Sequence, residues 1–174
     1  NVAQQKWVLE AEYNLDSFLK RDRSANLNEV SFVAHGGGDT VYAFVRESGE
    51  VLRSEDRGAT WAHLGYEDRL IHQPGFAVVD DQRIFVTYAQ IAGPRTVYGK
   101  MFYPDAGWEE SETRIVYASP NIQNHDMGDP SSRLLDDGRL LVIYYDTHYR
   151  AIMGTLLEPD DFQPAELSDE LPEA

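Results

Sequence analysis

The chain has 174 residues, enough for one domain with a real core, and its lack of cysteine removes disulfide and thiolate-metal chemistry. Its 15 Lys and Arg against 30 Asp and Glu leave a formal charge of −15, which argues against a nucleic-acid partner, because phosphate binding needs clustered cations. No apolar run approaches the ~18 residues of a membrane helix, and the first residues lack the pattern of a signal peptide.

The first 27 residues carry the weakest pattern. Lys6–Leu15 reads as a strand and Ser17–Arg23 as a short helix or loop. From there on, short strands separated by turn residues dominate. A first group runs Ser31–His35, Thr40–Glu47, Glu50–Ser54 and Thr60–Tyr66. A second runs Gly75–Val79, Arg83–Ile91, Thr96–Tyr103 and roughly Trp108–Ala118. A third runs Ser131–Leu135, Arg139–Asp146 and Tyr149–Leu157. The stretch from Glu158 to Ala174 is acidic and punctuated by proline, and its end reads as a loose tail.

The second and third groups repeat each other. A shift of 56 residues lays Pro74 on Pro130, Asp80-Asp81 on Asp136-Asp137, Arg83 on Arg139 and Tyr88 on Tyr144. Repeats of this length with about four strands each predict β-propeller blades. The predicted fold is therefore all-β, with about three four-stranded antiparallel blades near 28–66, 67–118 and 119–157. Residues 1–27 would be the remnant of a preceding blade or a linker, and 158–174 a closing segment and tail. Three blades do not close a ring in the usual way, so a missing half-ring or a second copy is expected to complete it.

Between the third and fourth strands of the first group lies Ser54-Glu55-Asp56-Arg57-Gly58-Ala59-Thr60-Trp61. Gly58 supplies a positive φ, Ser54 and Asp56 can bond the turn's own amides, Thr60 completes the polar pattern, and Trp61 offers a large apolar cover. In blade order this turn and the Asp-Asp turns fall on one face. The opposite face collects Glu29, Arg46, Arg95, His125, Asp126, Asp129, Asp146 and His148. Polar groups at the mouth of a propeller are site candidates. The tyrosines Tyr88, Tyr144 and Tyr145 read as blade packing.

The Ser54–Trp61 spelling resembles the Asp box, or BNR repeat, that marks sialidase-type propellers. Asn28-Glu29-Val30 and Val41–Arg46 resemble the middle of that six-bladed fold. Arg95–Tyr98, Gly128–Ser132 and Asp137–Tyr145 resemble later parts, and the likeness runs from Leu27 to Leu157, about the second half of a ring. It implies Glu29 in the place of a glutamate that pairs with the catalytic tyrosine. It implies Arg46 and Arg95 as members of the arginine set that grips a substrate carboxylate; His125, beside Asp126, is a candidate substrate contact by its own chemistry as an acid/base or ligand. At the expected nucleophile the chain has Asp129, followed by Pro130, and no tyrosine. The resemblance also implies a carbohydrate ligand such as a sialic acid and a secreted or extracellular setting; no cofactor is expected, and no metal, since His125 lacks a second convincing ligand. Two functions follow: a sialidase-like glycoside hydrolase on acidic sugars with an altered catalytic position at Asp129, or a non-catalytic propeller that binds glycans or a protein.

Overall fold

The computed structural model describes residues 28–46, 48–67, 69, 71–90, 95–108, 112–121 and 127–162. The expectations for residues 1–27, for the tail beyond residue 162, and for His125 and Asp126 lie outside these residues.

The described chain is all-β. Its strands are β1 (Asn28–His35), β2 (Thr40–Arg46), β3 (Glu50–Ser54), β4 (Ala62–Tyr66), β5 (Ile71–Asp80), β6 (Arg83–Gln90), β7 (Thr96–Phe102), β8 (Thr113–Ala118), β9 (Met127–Leu134), β10 (Leu140–Asp146) and β11 (Ala151–Leu157). They form three antiparallel sheets in the orders β1-β2-β3-β4, β5-β6-β7-β8 and β9-β10-β11. Each sheet is a blade-like meander, and the first strands of successive sheets lie side by side. The third sheet has three strands among the described residues.

Burial follows the stacking. Strand β6 has a sheet on either side, so Ile84, Phe85, Val86, Tyr88 and Ala89 are all buried and the sequence there is almost continuously apolar. Its even-numbered side chains meet Tyr42, Phe44 and Val51 of the first blade. Phe85 on the other side meets Leu140, Val142 and Tyr144 of the third. Tyr88 and Tyr144 are thus packing residues, as expected. Trp108 lies outside any strand, so the expected strand from 108 starts only at Thr113. The indole is buried and donates to the Tyr66 carbonyl at 3.0 Å, pinning the second blade to the first. After β11 the chain turns back through Pro159–Asp161. Phe162 packs on Phe85 with ring centroids 4.9 Å apart, and its carbonyl accepts the Tyr103 hydroxyl at 2.8 Å.

The turn at Ser54–Trp61 is closed by its own side chains. The Ser54 hydroxyl accepts the Gly58 amide at 2.7 Å. Asp56 accepts the Thr60 amide at 2.8 Å and the Thr60 hydroxyl at 2.7 Å. These donors hold the Asp56 carboxyl down at about 2, with the Thr60 hydroxyl contributing most. Gly58 takes φ 94°, as the turn requires.

The inner strands are longer than the sequence suggests. Strands β5 and β9 run through Pro74 and Pro130 instead of starting after them, and β1 starts at Asn28. Each carries a register shift at that end; in β5 and β9 the bulge lets the strand pass a proline, which cannot donate to the ladder, and β1 bulges at Glu29 without one. The strands also crowd one another. A Cβ on Gly75 would lie 2.6 Å from the Pro130 carbonyl oxygen, and one on Gly128 would lie 2.7 Å from the Ala89 methyl. Gly75→Ala is therefore expected to cost about 1–3 kcal/mol of stability, read by chemical denaturation, since backbone cannot yield as a side chain can. A wild-type midpoint would show that β5 and β9 do not approach this closely.

Candidate functional site

The site grows from the three bulges. Glu29, Gln73 and Asp129 occupy matching positions in β1, β5 and β9. They take φ of 32°, 30° and 47°, values that non-glycine residues rarely adopt. Each such residue costs of the order of 1 kcal/mol and persists because the surrounding sheet fixes it. A bulge turns one side chain out of the up-and-down alternation of the strand. Here all three turn toward the same end of the blades.

Their side chains meet across the blade boundaries. The Gln73 amide donates to the Glu29 carboxylate at 3.1 Å, joining the second blade to the first. His72 Nδ1 lies 3.0 Å from Asp129 Oδ1, joining the second blade to the third. Arg46, the last residue of β2, pairs with Glu29 at 2.6 Å. The result is a polar line over three sheets: Arg46–Glu29–Gln73 followed directly by His72–Asp129. Glu29 and Asp129 are exposed, with side chains 50% and 39% accessible, while Arg46 and His72 are largely covered at 21% and 22%. The Gln73 amide and the Arg46 guanidinium hold the Glu29 carboxyl below the usual carboxylate range. It is ionised at neutral pH.

The structure brings together Glu29 and Arg46 among the residues expected from sequence. Asp129 joins them through His72 and Gln73. Arg95 lies just before β7, at the same end of the second blade. Its guanidinium donates to the Gln90 carbonyl at 3.3 Å, and its own carbonyl accepts the Ser119 amide at 3.0 Å. Asp146 is buried. Burial alone would raise its carboxyl, but the Tyr117 hydroxyl at 2.7 Å and the His148 amide at 2.8 Å lower it overall. Its visible work is to tie β8 to β10.

His72 and Gln73 are the residues that sequence reasoning missed. The signal was available: the shift that lays Pro74 on Pro130 also lays Gln73 on Asp129. Taking Pro74 as a strand boundary hid it.

One group near the first-blade end has no partner among the described residues. Glu50, the first residue of β3, is fully buried and both carboxylate oxygens lack a hydrogen bond. Burial pushes its carboxyl up.

No model of a protein family matches this chain, and no curated protein matches it. Solved structures do. A protein of unknown function from Dyadobacter fermentans DSM 18053 is 22% identical with a TM-score of 0.62, over 75% of this chain and 38% of that one. The K499G mutant of NanB sialidase from Streptococcus pneumoniae is 19% identical with a TM-score of 0.50, over 76% of this chain and 22% of that one. The likeness is one of fold: this chain shares the blade architecture found in a sialidase. It spans well under half the length of either protein.

Glu50 yields a signed expectation. A carboxyl raised in the folded state contributes stability below its unfolded pKa, and that contribution is lost as pH rises through the folded value. At neutral pH the wild-type protein bears the cost. Glu50→Gln should therefore raise the midpoint of thermal unfolding at pH 7, and the gain should shrink as pH falls through the carboxylate range. Destabilisation at pH 7 would show that Glu50 has a cationic partner.

Proposed function

We propose that the end of the blades marked by Arg46, Glu29, Gln73, His72 and Asp129 binds an acidic sugar, and that the protein is a sialidase-like carbohydrate-active protein with an altered catalytic position. The observation that carries this reading is the cross-blade line itself. Its groups are held by strained backbone and by one another before any ligand arrives, which is how a binding site limits its ordering cost.

The chemistry fits a carboxylated ligand at one point of the line. Glu29 engages one Nη of Arg46, and the guanidinium keeps further donors. A planar fork of this kind meets a carboxylate with parallel charge-assisted bonds. Arg95, at the same end of the next blade, is the second cation proposed for the ligand. Glu29 and Gln73 would set the arginine's orientation and accept or donate to sugar hydroxyls. The Ser54–Trp61 turn, read as an Asp box, lies at the opposite end and acts as a clasp only.

Asp129 sits where the resemblance places a tyrosine nucleophile. Sialidases use tyrosine, an exception among glycosidases. An aspartate in that role would repel the substrate carboxylate. Its contact with His72 supports a different role. Asp129 accepts from Nδ1–H, fixing the tautomer in which Nε2 has a free lone pair and can take a proton from water or a hydroxyl. A second reading, a non-catalytic glycan binder, is favoured by the engagement of both carboxylates: Glu29 by Arg46 and Gln73, and Asp129 by His72.

Titration calorimetry of the full chain with N-acetylneuraminic acid tests the binding claim. Arg46→Ala should weaken affinity about tenfold or more, the scale of a lost charge-assisted bond, while Arg83→Ala at the opposite end leaves it unchanged. Equal affinity for wild type and Arg46→Ala would remove the acidic-sugar reading. Turnover of a fluorogenic sialoside that disappears in His72→Ala would select the catalytic form. Binding with no turnover would select the binder.

A further inference from the structure

The connection from β4 to β5 carries another cation at the end of the blades where the Arg46–Glu29–Gln73 line lies. Arg69 stands between the last residue of β4, Tyr66, and the first of β5, Ile71. Its Nη1 donates to the Glu67 carboxylate at 2.6 Å, and the guanidinium carbon lies 4.8 Å from the centre of the Tyr98 ring. The Glu67 side chain is buried at 5% accessible, whereas that of Arg69 is 39% accessible. The Tyr98 hydroxyl donates to the Gln90 side-chain carbonyl at 2.9 Å, and Arg95 donates to the Gln90 backbone carbonyl. Both arginines are thus tied to Gln90 at the end of β6, Arg69 through Tyr98 and Arg95 directly.

The way Arg69 is held leaves most of its donors for a ligand. The contact with the Tyr98 ring is a cation–π contact and uses none of the guanidinium N–H groups. Glu67 takes one Nη, and Arg69 has no other hydrogen-bond partner among the described residues. A buried carboxylate and a ring therefore fix a long side chain in advance, which lowers the entropy lost when an anion binds. His72 and Gln73 follow Arg69 by three and four residues. A chain extends at most about 3.6 Å per residue, so the Arg69 Cα lies within about 14 Å of that of Gln73. A ligand seated on the line and longer than one sugar reaches this second cationic point.

We propose that Arg69 is a second anion contact of this site, and that the ligand is an acidic oligosaccharide whose neighbouring sugar carries an oxyanion of its own. This rests on the acidic-sugar reading above and narrows it. Arg46 holds the first carboxylate. Arg69, with Arg95 tied to the same Gln90, holds the second through the planar fork that suits an oxyanion. The net charge of −15 repels such a ligand at long range, so selection falls to these local forks. A single acidic sugar leaves the free donors of Arg69 in water, which is why chain length, and not only charge, decides affinity.

Titration calorimetry of the full chain compares N-acetylneuraminic acid with its α2,8-linked dimer. The dimer should bind about tenfold or more tightly, the scale of one further charge-assisted bond. Arg69→Gln should remove that preference and leave the affinity for the single sugar unchanged. This variant strands the buried Glu67 carboxylate, so the double variant Glu67→Gln with Arg69→Gln, which keeps two uncharged amides there, should give the same result with a wild-type circular dichroism spectrum. A dimer that wild type binds no more tightly than the single sugar overturns the inference and leaves the acidic-sugar reading standing. So does a preference that survives the double variant. Inorganic phosphate that displaces the dimer at equal concentration would mark a site for free anions and overturn it as well. A wild-type chain that binds neither sugar removes both readings.

Discussion

The crowding of the three inner strands governs the described structure. Strands β5 and β9 approach so closely that Gly75 has no space for a Cβ beside the Pro130 carbonyl, and Gly128 has none beside Ala89. A regular ladder cannot continue through β5 and β9 with proline at positions 74 and 130, and β1 departs from regularity at the matching position without a proline. Each inner strand instead accepts one extra residue, and the extra residue takes a positive φ. The backbone cost is of the order of 1 kcal/mol at each site. It is offset by burial between the sheets, where Phe44, Tyr88 and Trp108 on one side and Phe85, Leu140 and Tyr144 on the other are almost fully removed from water.

That constraint produces the chemistry as a consequence of geometry. A side chain on a regular strand faces a neighbouring blade, where an ion would be desolvated. A side chain on the bulge faces the end of the stack, where water and ligands reach it. Glu29, Gln73 and Asp129 are thus positions at which polar groups of the inner strands face the end of the stack. Neighbouring blades bring Gln73 to Glu29 and His72 to Asp129 within hydrogen-bonding distance, so each boundary is bridged by a polar contact at this end and by apolar packing below it.

The sequence carried the fold better than the site. Alternating strands, the Asp-Asp turns and the Ser54–Trp61 turn were legible because local chemistry dictates them: Asp56, Gly58 and Thr60 act within a few residues of themselves. Glu29, Arg46 and Asp129 were legible as residues at one end of the blades. Their partners were not. The Glu29–Gln73 contact spans 44 residues and the His72–Asp129 contact 57, and both depend on bulges that local pattern does not announce. Proline was read as the end of a strand, when it marked a bulge within one. The docking of Phe162 on Phe85 was hidden for a related reason, since a short irregular segment after β11 has no periodicity to betray a buried aromatic.

The cross-blade line is tested most directly at Glu29. Its carboxyl carbon can be followed by NMR through an acid titration, in the wild-type chain and in Gln73→Ala. With the line intact, Glu29 titrates below its ordinary value of 4.5, and loss of the Gln73 amide moves it upward. An ordinary value in the wild type, or a value that Gln73→Ala leaves unchanged, would show that the bulges do not join the blades through these side chains.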